Sequence, residues 1–219
     1  QQENNLRYDD MHSKICTGRS KNNYVFPEPP FQGNKFIKNI IDTIKENVIG
    51  AYYICFYRLG LDYIFRALNK NNLKYRALII WDKGNHTLSN SDYMSRYEPL
   101  VYGWIEEHNF YGSNSNFDIW HIDRTKKNDL HPTMKPIPLV AKAIKNSSRK
   151  KEIILDLFGG SGSTLIAAEQ LDRTCYMMEL DEYYCDVIIR RYINYRLDND
   201  LEVDIKVNGE KVDYKKYLN

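Results

Sequence analysis

The 219-residue chain lacks any run of about 18 consecutive apolar residues, the least a membrane-spanning helix needs, and no secretory leader is read in it. Cysteine is scarce. Cys16, Cys55, Cys175 and Cys185 form no Cys-x-x-Cys pair, which excludes a zinc ribbon or a thioredoxin-type redox couple. Cys55 and Cys175 stand in apolar stretches and are expected as reduced core residues. His12, His86, His108 and His121 are scattered without ligand spacing, so no metal site is expected. Charge of one sign is also missing: the net value of +2 argues for no partner by itself. No internal repeat is present. What remains is a cytoplasmic-type chain of a size that suits one α/β domain with its own core.

The informative stretch is 151–181. Ile153-Ile154-Leu155 is a short apolar run, the pattern of a strand covered on both faces. Phe158-Gly159-Gly160-Ser161-Gly162 reads as a turn whose bare glycines let backbone approach a ligand. Ser163 to Leu171 has helical spacing, with Leu165, Ile166, Ala168 and Leu171 on one face. Cys175-Tyr176-Met177-Met178 is the next strand, and Glu179 closes it. Ligands of open α/β sheets bind at that carboxyl end, where an acid can accept two hydrogen bonds from a ribose diol. A dinucleotide fingerprint would need a third glycine where Leu165 stands, and a phosphate-binding P-loop would need a lysine after the glycines. Neither is there.

The pattern Asp156-x-Phe158-x-Gly160-x-Gly162 resembles motif I of S-adenosylmethionine-dependent methyltransferases. Just upstream, His131-Pro132-Thr133-Met134-Lys135-Pro136 is similar to motif X of the DNA amino-methyltransferases that modify adenine N6 or cytosine N4. Motif X followed by motif I resembles the β group of these enzymes, and residues 184–192 resemble the following helix of phage and prophage adenine methylases. Gly50–Cys55, Ile80–Lys83 and Tyr97–Trp104 are similar to the intervening segments, so the likeness spans roughly residues 35–192. It implies a Rossmann-like α/β fold with a mainly parallel twisted sheet, helices on both faces, and S-adenosylmethionine as cofactor. It also implies site-specific methylation of double-stranded DNA, of the restriction-modification or phage type, with adenine favoured and a homodimer possible. The implied cofactor residues are Thr133, Lys135, Asp156, Phe158, Gly159, Gly160, Ser161, Gly162, Ser163, Thr164, Glu179, Leu180 and Asp181. Thr133 and Lys135 suit the methionine carboxylate, Phe158 the adenosine, and Glu179 the ribose.

One departure stands out. The family's catalytic Asp-Pro-Pro-Tyr is absent in that form, and Glu28-Pro29-Pro30-Phe31 is the only similar string. Pro27 sits awkwardly at a strand end, lacking a ladder donor. Gln1 is not an initiator methionine, and the chain is expected to be incomplete at this end, with the true catalytic motif lying before Gln1. Residues 1–34 are read as an N-terminal loop region, 35–195 as the methyltransferase domain, and 196–219 as a terminal hairpin turning at Asn208-Gly209.

Within the domain, 83–96 (with Asn85, His86, Ser89, Asn90 and Arg96) and 105–130 are candidate target-contact insertions. Arg124, Lys126 and Lys127 can meet phosphates. Lys142, Lys145, Arg149, Lys150 and Lys151 read better as a solvated helix face. The expected elements are helices at 36–47, 60–70, after Pro136, 162–171 and 181–195, and strands at 50–56, 74–82, 152–157 and 174–179. Three functions stay open: a DNA amino-methyltransferase, a methyltransferase on RNA or small molecules, and an inactive relative that binds cofactor or DNA.

Overall fold

Four strands, β1 (Ala51–Cys55), β2 (Tyr75–Thr87), β3 (Ser95–Trp104) and β4 (Ile119–His121), pair in the order β1-β3-β2-β4 in the computed structural model. It describes residues 31–87, 92–125 and 134–218. The chain divides into two compact units, Gln1–Asn34 and Lys35–Asn219, and everything below except the start of the first helix concerns the second. Strand β3 runs antiparallel to both β1 and β2, whereas β4 is parallel to β2, so three strands share one direction.

The expected list contained neither β3 nor β4. Pro99 obscures β3, because proline lacks a ladder donor and disfavours central strands. Its carbonyl accepts from Phe56 N at 3.2 Å, on the side where β1 has already ended at the Cys55–Leu100 rung. The missing N–H therefore costs no rung with β2. Strand β4 spans only three residues, too few for an alternation to show.

Helices cover both faces of this sheet. Helix α1 (Phe31–Asn47) and helix α2 (Leu61–Lys70) pack Ile41, Ile44, Ile64 and Leu68 against Tyr52 and Val101. On the other face Ile79, Trp81, Leu100 and Trp120 close over Leu139 of helix α3 (Ile137–Ser147). Pro136 caps α3 in extended conformation, as a ring that fixes φ and lacks a donor allows at a helix start. Further along α3, Ile144 joins Ala167 and Ala168 of helix α4 (Ser163–Gln170), packed on Ile154 and Cys175 of the parallel pair β5 (Ile153–Asp156) and β6 (Thr174–Met177). One helix thus serves two sheets, and Tyr53 Oη to Ser147 Oγ at 2.8 Å reinforces the joint.

The β5–β6 pair corrects one expectation. Only the Ile154 face is covered among the described residues. Ile153, Tyr176 and Met178 are 66%, 60% and 62% exposed on the opposite side. A run of three apolar residues does not reveal by itself how many faces are buried. Cys55 is likewise corrected: it is exposed at the carboxyl end of β1 and does not lie in the core.

Helix α5 (Glu182–Asp198) buries Ile188, Ile189, Tyr192 and Ile193. Val203, Ile205, Val207, Tyr214 and Tyr217 fold back onto it, around a two-rung hairpin of β7 (Lys206–Val207) and β8 (Glu210–Lys211). Asn208 and Gly209 both have positive φ, as a type I′ turn requires. No described helix is long and apolar enough to cross a membrane.

Candidate functional site

The carboxyl ends of β5 and β6 carry a tightly bonded glycine turn. Met178 N donates to Asp156 O and Gly159 N to Met178 O, both at 2.8 Å, so the parallel ladder runs on into the turn. Asp156 accepts from Phe158 N at 2.9 Å and from the Thr164 hydroxyl. Burial pushes its pKa up, and the nearby Glu179 charge adds to that effect. Gly160 (φ 52°) and Gly162 (φ 78°) lie in the left-handed region, which side chains other than glycine adopt at a cost of about 1–2 kcal/mol.

Gly159 is needed for another reason. A methyl group placed there would come within 2.8 Å of Ile188 Cδ1 and 3.2 Å of Met177. The close approach that this glycine permits is to helix α5, where the sequence alone pointed to a ligand. Gly159→Ala is therefore expected to destabilise the fold by about 1–3 kcal/mol, read from urea denaturation.

Glu179 is the hub of the turn. Its Oε2 accepts from Gly160 N at 2.7 Å, and its Oε1 from Leu180 N at 2.8 Å and Asp181 N at 3.0 Å. A carboxylate offers about four lone-pair sites, so one remains, on Oε2. In this arrangement the acid has room for one further hydrogen bond, and a second would require the release of a backbone amide. The donor set fits an adenosine: an acid with acceptor capacity left, set between Phe158, which is half exposed, and the exposed Leu180. Asp181 caps α5 through Tyr183 N at 2.9 Å.

The side chains of Ser161 and Ser163 are buried and bonded within the protein. Ser163 Oγ donates to Lys135 O at 2.7 Å. Arg191 on α5 brings Nη1 to Ser161 O at 2.8 Å, Ser161 Oγ at 3.3 Å, Ser163 Oγ at 3.4 Å and Met134 Sδ at 3.5 Å. The turn, the start of α4 and the segment before α3 are thereby clamped together. Sequence reasoning passed over Arg191, although its place three residues after buried Ile188 puts it on the packed side of the helix.

Lys135 has its ammonium 3.2 Å from Glu98 Oε2, and Lys83 reaches Glu98 Oε1 at 3.4 Å. Lys135 also lies over the Trp81 ring at 6.0 Å. Desolvation pushes the Glu98 carboxyl up, but the two ammonium groups outweigh it and hold the pKa below its ordinary value. Lys83 and Glu98 were not among the expected site residues. Lys83 alternates with Ile79 and Trp81 along β2, and that period of two was the signal for its burial. Thr133 and Glu28, Pro29 and Pro30 lie outside the described residues, and Phe31 is described only as the start of α1.

In the described part of the insertion 83–96, residues 83–87 extend β2 and residues 95–96 open β3. Asp82 at its base accepts from Arg96 Nε at 2.7 Å and Nη2 at 2.9 Å, from Gly84 N at 3.0 Å, and bonds His121 Nδ1 at 2.9 Å. Arg96, expected to face a target, pairs with Asp82 and keeps 60% of its side chain exposed. Ser89 and Asn90 lie outside the described residues. The Arg96 guanidinium, then the Gly84 amide and His121, hold the Asp82 carboxyl at about 2. A depressed folded value stabilises above the unfolded pKa, and that contribution is lost as pH falls from about 4 to about 2. Asp82→Asn should flatten the acid limb of a urea-midpoint profile across that window. An unchanged limb would remove Asp82 from the acid response.

The later basic cluster is engaged in surface packing. Lys142 lies over Trp120 at 4.7 Å, Arg149 over Tyr111 at 4.8 Å, and Lys151 pairs with Asp172 at 2.5 Å.

A parallel pair with a glycine turn and a terminal acid, beside a mixed sheet covered on both faces, defines a Rossmann-like α/β protein. The DNA methylase family model matches residues 30–190, and the chain belongs to that family. Type II methyltransferase M2.MboI of Moraxella bovis is 27% identical over 176 residues, 73% of this chain and 64% of that protein. Type II methyltransferase M.HinfI of Haemophilus influenzae is 33% identical over 87 residues, 39% and 24% of the two chains. The chain therefore spans less than two thirds of these relatives. The crystal structure of the M1.HpyAVI–SAM complex superposes with a TM-score of 0.62 at 24% identity, covering 75% of this chain and 84% of that one. PvuII DNA methyltransferase (cytosine-N4-specific) superposes at 0.60 with 14% identity, covering 90% and 78%. Both show a shared fold.

Proposed function

We propose that the protein binds S-adenosylmethionine at the glycine turn and transfers its methyl group to an exocyclic amine of double-stranded DNA, adenine N6 in preference to cytosine N4. The observation that carries this reading is Glu179 bonded to Gly160 N at the carboxyl ends of β5 and β6, in a chain of the DNA methylase family. The bound cofactor supplies a methyl group made electrophilic by its sulfonium. The chain supplies position. Glu179 Oε2 takes a ribose hydroxyl, Phe158 and Leu180 flank the base, and the Gly159–Gly162 backbone leaves room for the nucleoside. Lys135, with Thr133, faces the methionine carboxylate. Asp156, Ser161, Ser163, Thr164 and Asp181 hold the turn in shape through the bonds described above.

An exocyclic amine is a poor nucleophile because its lone pair delocalises into the ring, so alignment in line with the methyl group supplies much of the rate. Acceptors at its hydrogens favour the pyramidal form. In this chain Glu28, Pro29, Pro30 and Phe31 form the string with that chemistry: a carboxylate, proline carbonyls and a stacking ring. A base in a duplex must flip to reach such a site. The preference for adenine rests on the overall likeness to phage and prophage adenine methylases alone, since motif X is shared with the cytosine-N4 enzymes.

The test is transfer of labelled methyl from S-adenosylmethionine to unmethylated duplex DNA, with methylated DNA and RNA as controls and the labelled base identified by chromatography. Label in N6-methyladenine is expected. Label in N4-methylcytosine overturns the base assignment, and label only in RNA overturns the substrate. Binding without any transfer favours a cofactor-binding relative. Glu28→Gln abolishes transfer if its string is the catalytic one, and unchanged transfer removes it.

A further inference from the structure

The geometry points to Arg96 and His121 as a base-reading pair, set by Asp82 against the major-groove edge of an adenine that flanks the methylated base. This rests on the proposed DNA reading and extends it to sequence recognition.

Asp82 is a saturated carboxylate. Its Oδ1 accepts from Arg96 Nε at 2.7 Å and Gly84 N at 3.0 Å, and its Oδ2 bonds Arg96 Nη2 and His121 Nδ1, both at 2.9 Å. Those four bonds fill its lone-pair sites, so Asp82 has nothing left for a ligand. What it does is fix its neighbours. Its side chain is 15% exposed, whereas those of Arg96 and His121 keep 60% and 74%. Arg96 spends Nε and Nη2 on the carboxylate, which leaves Nη1 as a donor. An ionised carboxylate only accepts, so the His121 ring carries its hydrogen on Nδ1, and in the neutral ring Nε2 is an acceptor. Arg96 Nη2 and His121 Nδ1 meet at one oxygen, so a spare donor and a spare acceptor stand side by side. Neither Arg96 Nη1 nor His121 Nε2 has a partner among the described residues.

The charge balance selects a base edge over a phosphate. The Asp82 and Arg96 charges cancel, and a neutral ring adds none. Next along the chain, Asp123 and Arg124 cancel again. Of these two it is the Asp123 carboxylate that lies against Gly84, where a methyl group would come within 2.5 Å of its Oδ1. An anion gains little from such a surface. An adenine suits it, because its major-groove edge sets the N7 acceptor beside the N6 amino donor. Location agrees. Strands β1, β2 and β4 run in one direction and His121 closes β4, so the pair stands at the carboxyl end of this sheet. At that same end Cys55 closes β1, within electrostatic reach of Asp156 before the glycine turn.

The experiment is methyl transfer by the full chain to a duplex library randomised around the modified base, at mildly alkaline pH, with the modified molecules sequenced. Arg96→Met and His121→Phe are each expected to relax the requirement for adenine at one shared position by about tenfold. Other positions keep their preference, and affinity for S-adenosylhomocysteine stays within about twofold. Asp82→Asn should relax the same position and turn it toward guanine. The asparagine amide can donate to His121 Nδ1, which moves the ring hydrogen to Nε2, and guanine N7 and O6 both accept. Replacing that adenine by 7-deazaadenine should cost the unaltered protein about tenfold and the Arg96→Met protein nothing. An even loss on every sequence, with a shallower salt dependence, means a phosphate contact and overturns base reading. Unchanged preferences, or relaxation at a base pair other than adenine–thymine, overturn it too. No transfer to the library by the unaltered protein overturns the proposed function itself, and the inference with it. Should Asp82→Asn fail to fold, the two substitutions at exposed side chains decide.

Discussion

Glu179→Ala is expected to lower the affinity for S-adenosylhomocysteine by about 100-fold, measured by calorimetry. The size follows from two losses at once. One is the proposed charge-assisted bond to a ribose hydroxyl. The other is the framework that the carboxylate imposes on Gly160, Leu180 and Asp181, whose amides all donate to it. Hydrogen bonds to charged groups contribute about 1.5–3 kcal/mol each, so the ribose bond and a partly relaxed turn together account for two decades. Glu179→Gln should fall between the two proteins, since the amide keeps one acceptor and turns a donor toward backbone N–H groups. Unchanged affinity in the alanine variant would refute the ribose assignment.

Arg191→Ala should cost about 3 kcal/mol of stability, roughly a 10 °C fall in melting temperature for a chain of this size, and should also weaken the nucleoside. Burial pulls the guanidinium pKa down, a sign of how far it is removed from water. Its neighbours among the described residues are a carbonyl, two hydroxyls and a thioether, and its removal strands the Ser161 carbonyl in the interior. Arg191→Lys keeps the charge but gives up the planar fork, so partial recovery is expected. A variant melting with the parent protein would mean that water replaces the guanidinium without penalty.

Much of this was legible in the chain, and the illegible parts have physical causes. The glycines at 159, 160 and 162 between an apolar run and a helical period announced the turn, and Glu179 was legible as the acid at the next strand's end. The role of Gly159 was not readable. A glycine that admits Ile188 looks the same in sequence as one that admits a ligand. Ser161 and Ser163 carry polar side chains in a site motif, but which side of the turn they face depends on α5, which follows later in the chain. Strand β3 hid behind Pro99, whose missing donor is harmless only because β1 stops one residue short. The pairing of Arg96 with Asp82, fourteen residues away on the neighbouring strand, has no local signal.

The clamp on Met134, Ser161 and Ser163 is made through space. Helix α5 supplies it, and the polypeptide from Ile137 to Asp156 that links the two motifs takes no part in these bonds. Such a latch is indifferent to the order in which its pieces are strung. A break of the backbone within the Ser148–Glu152 connection would cut none of its four bonds.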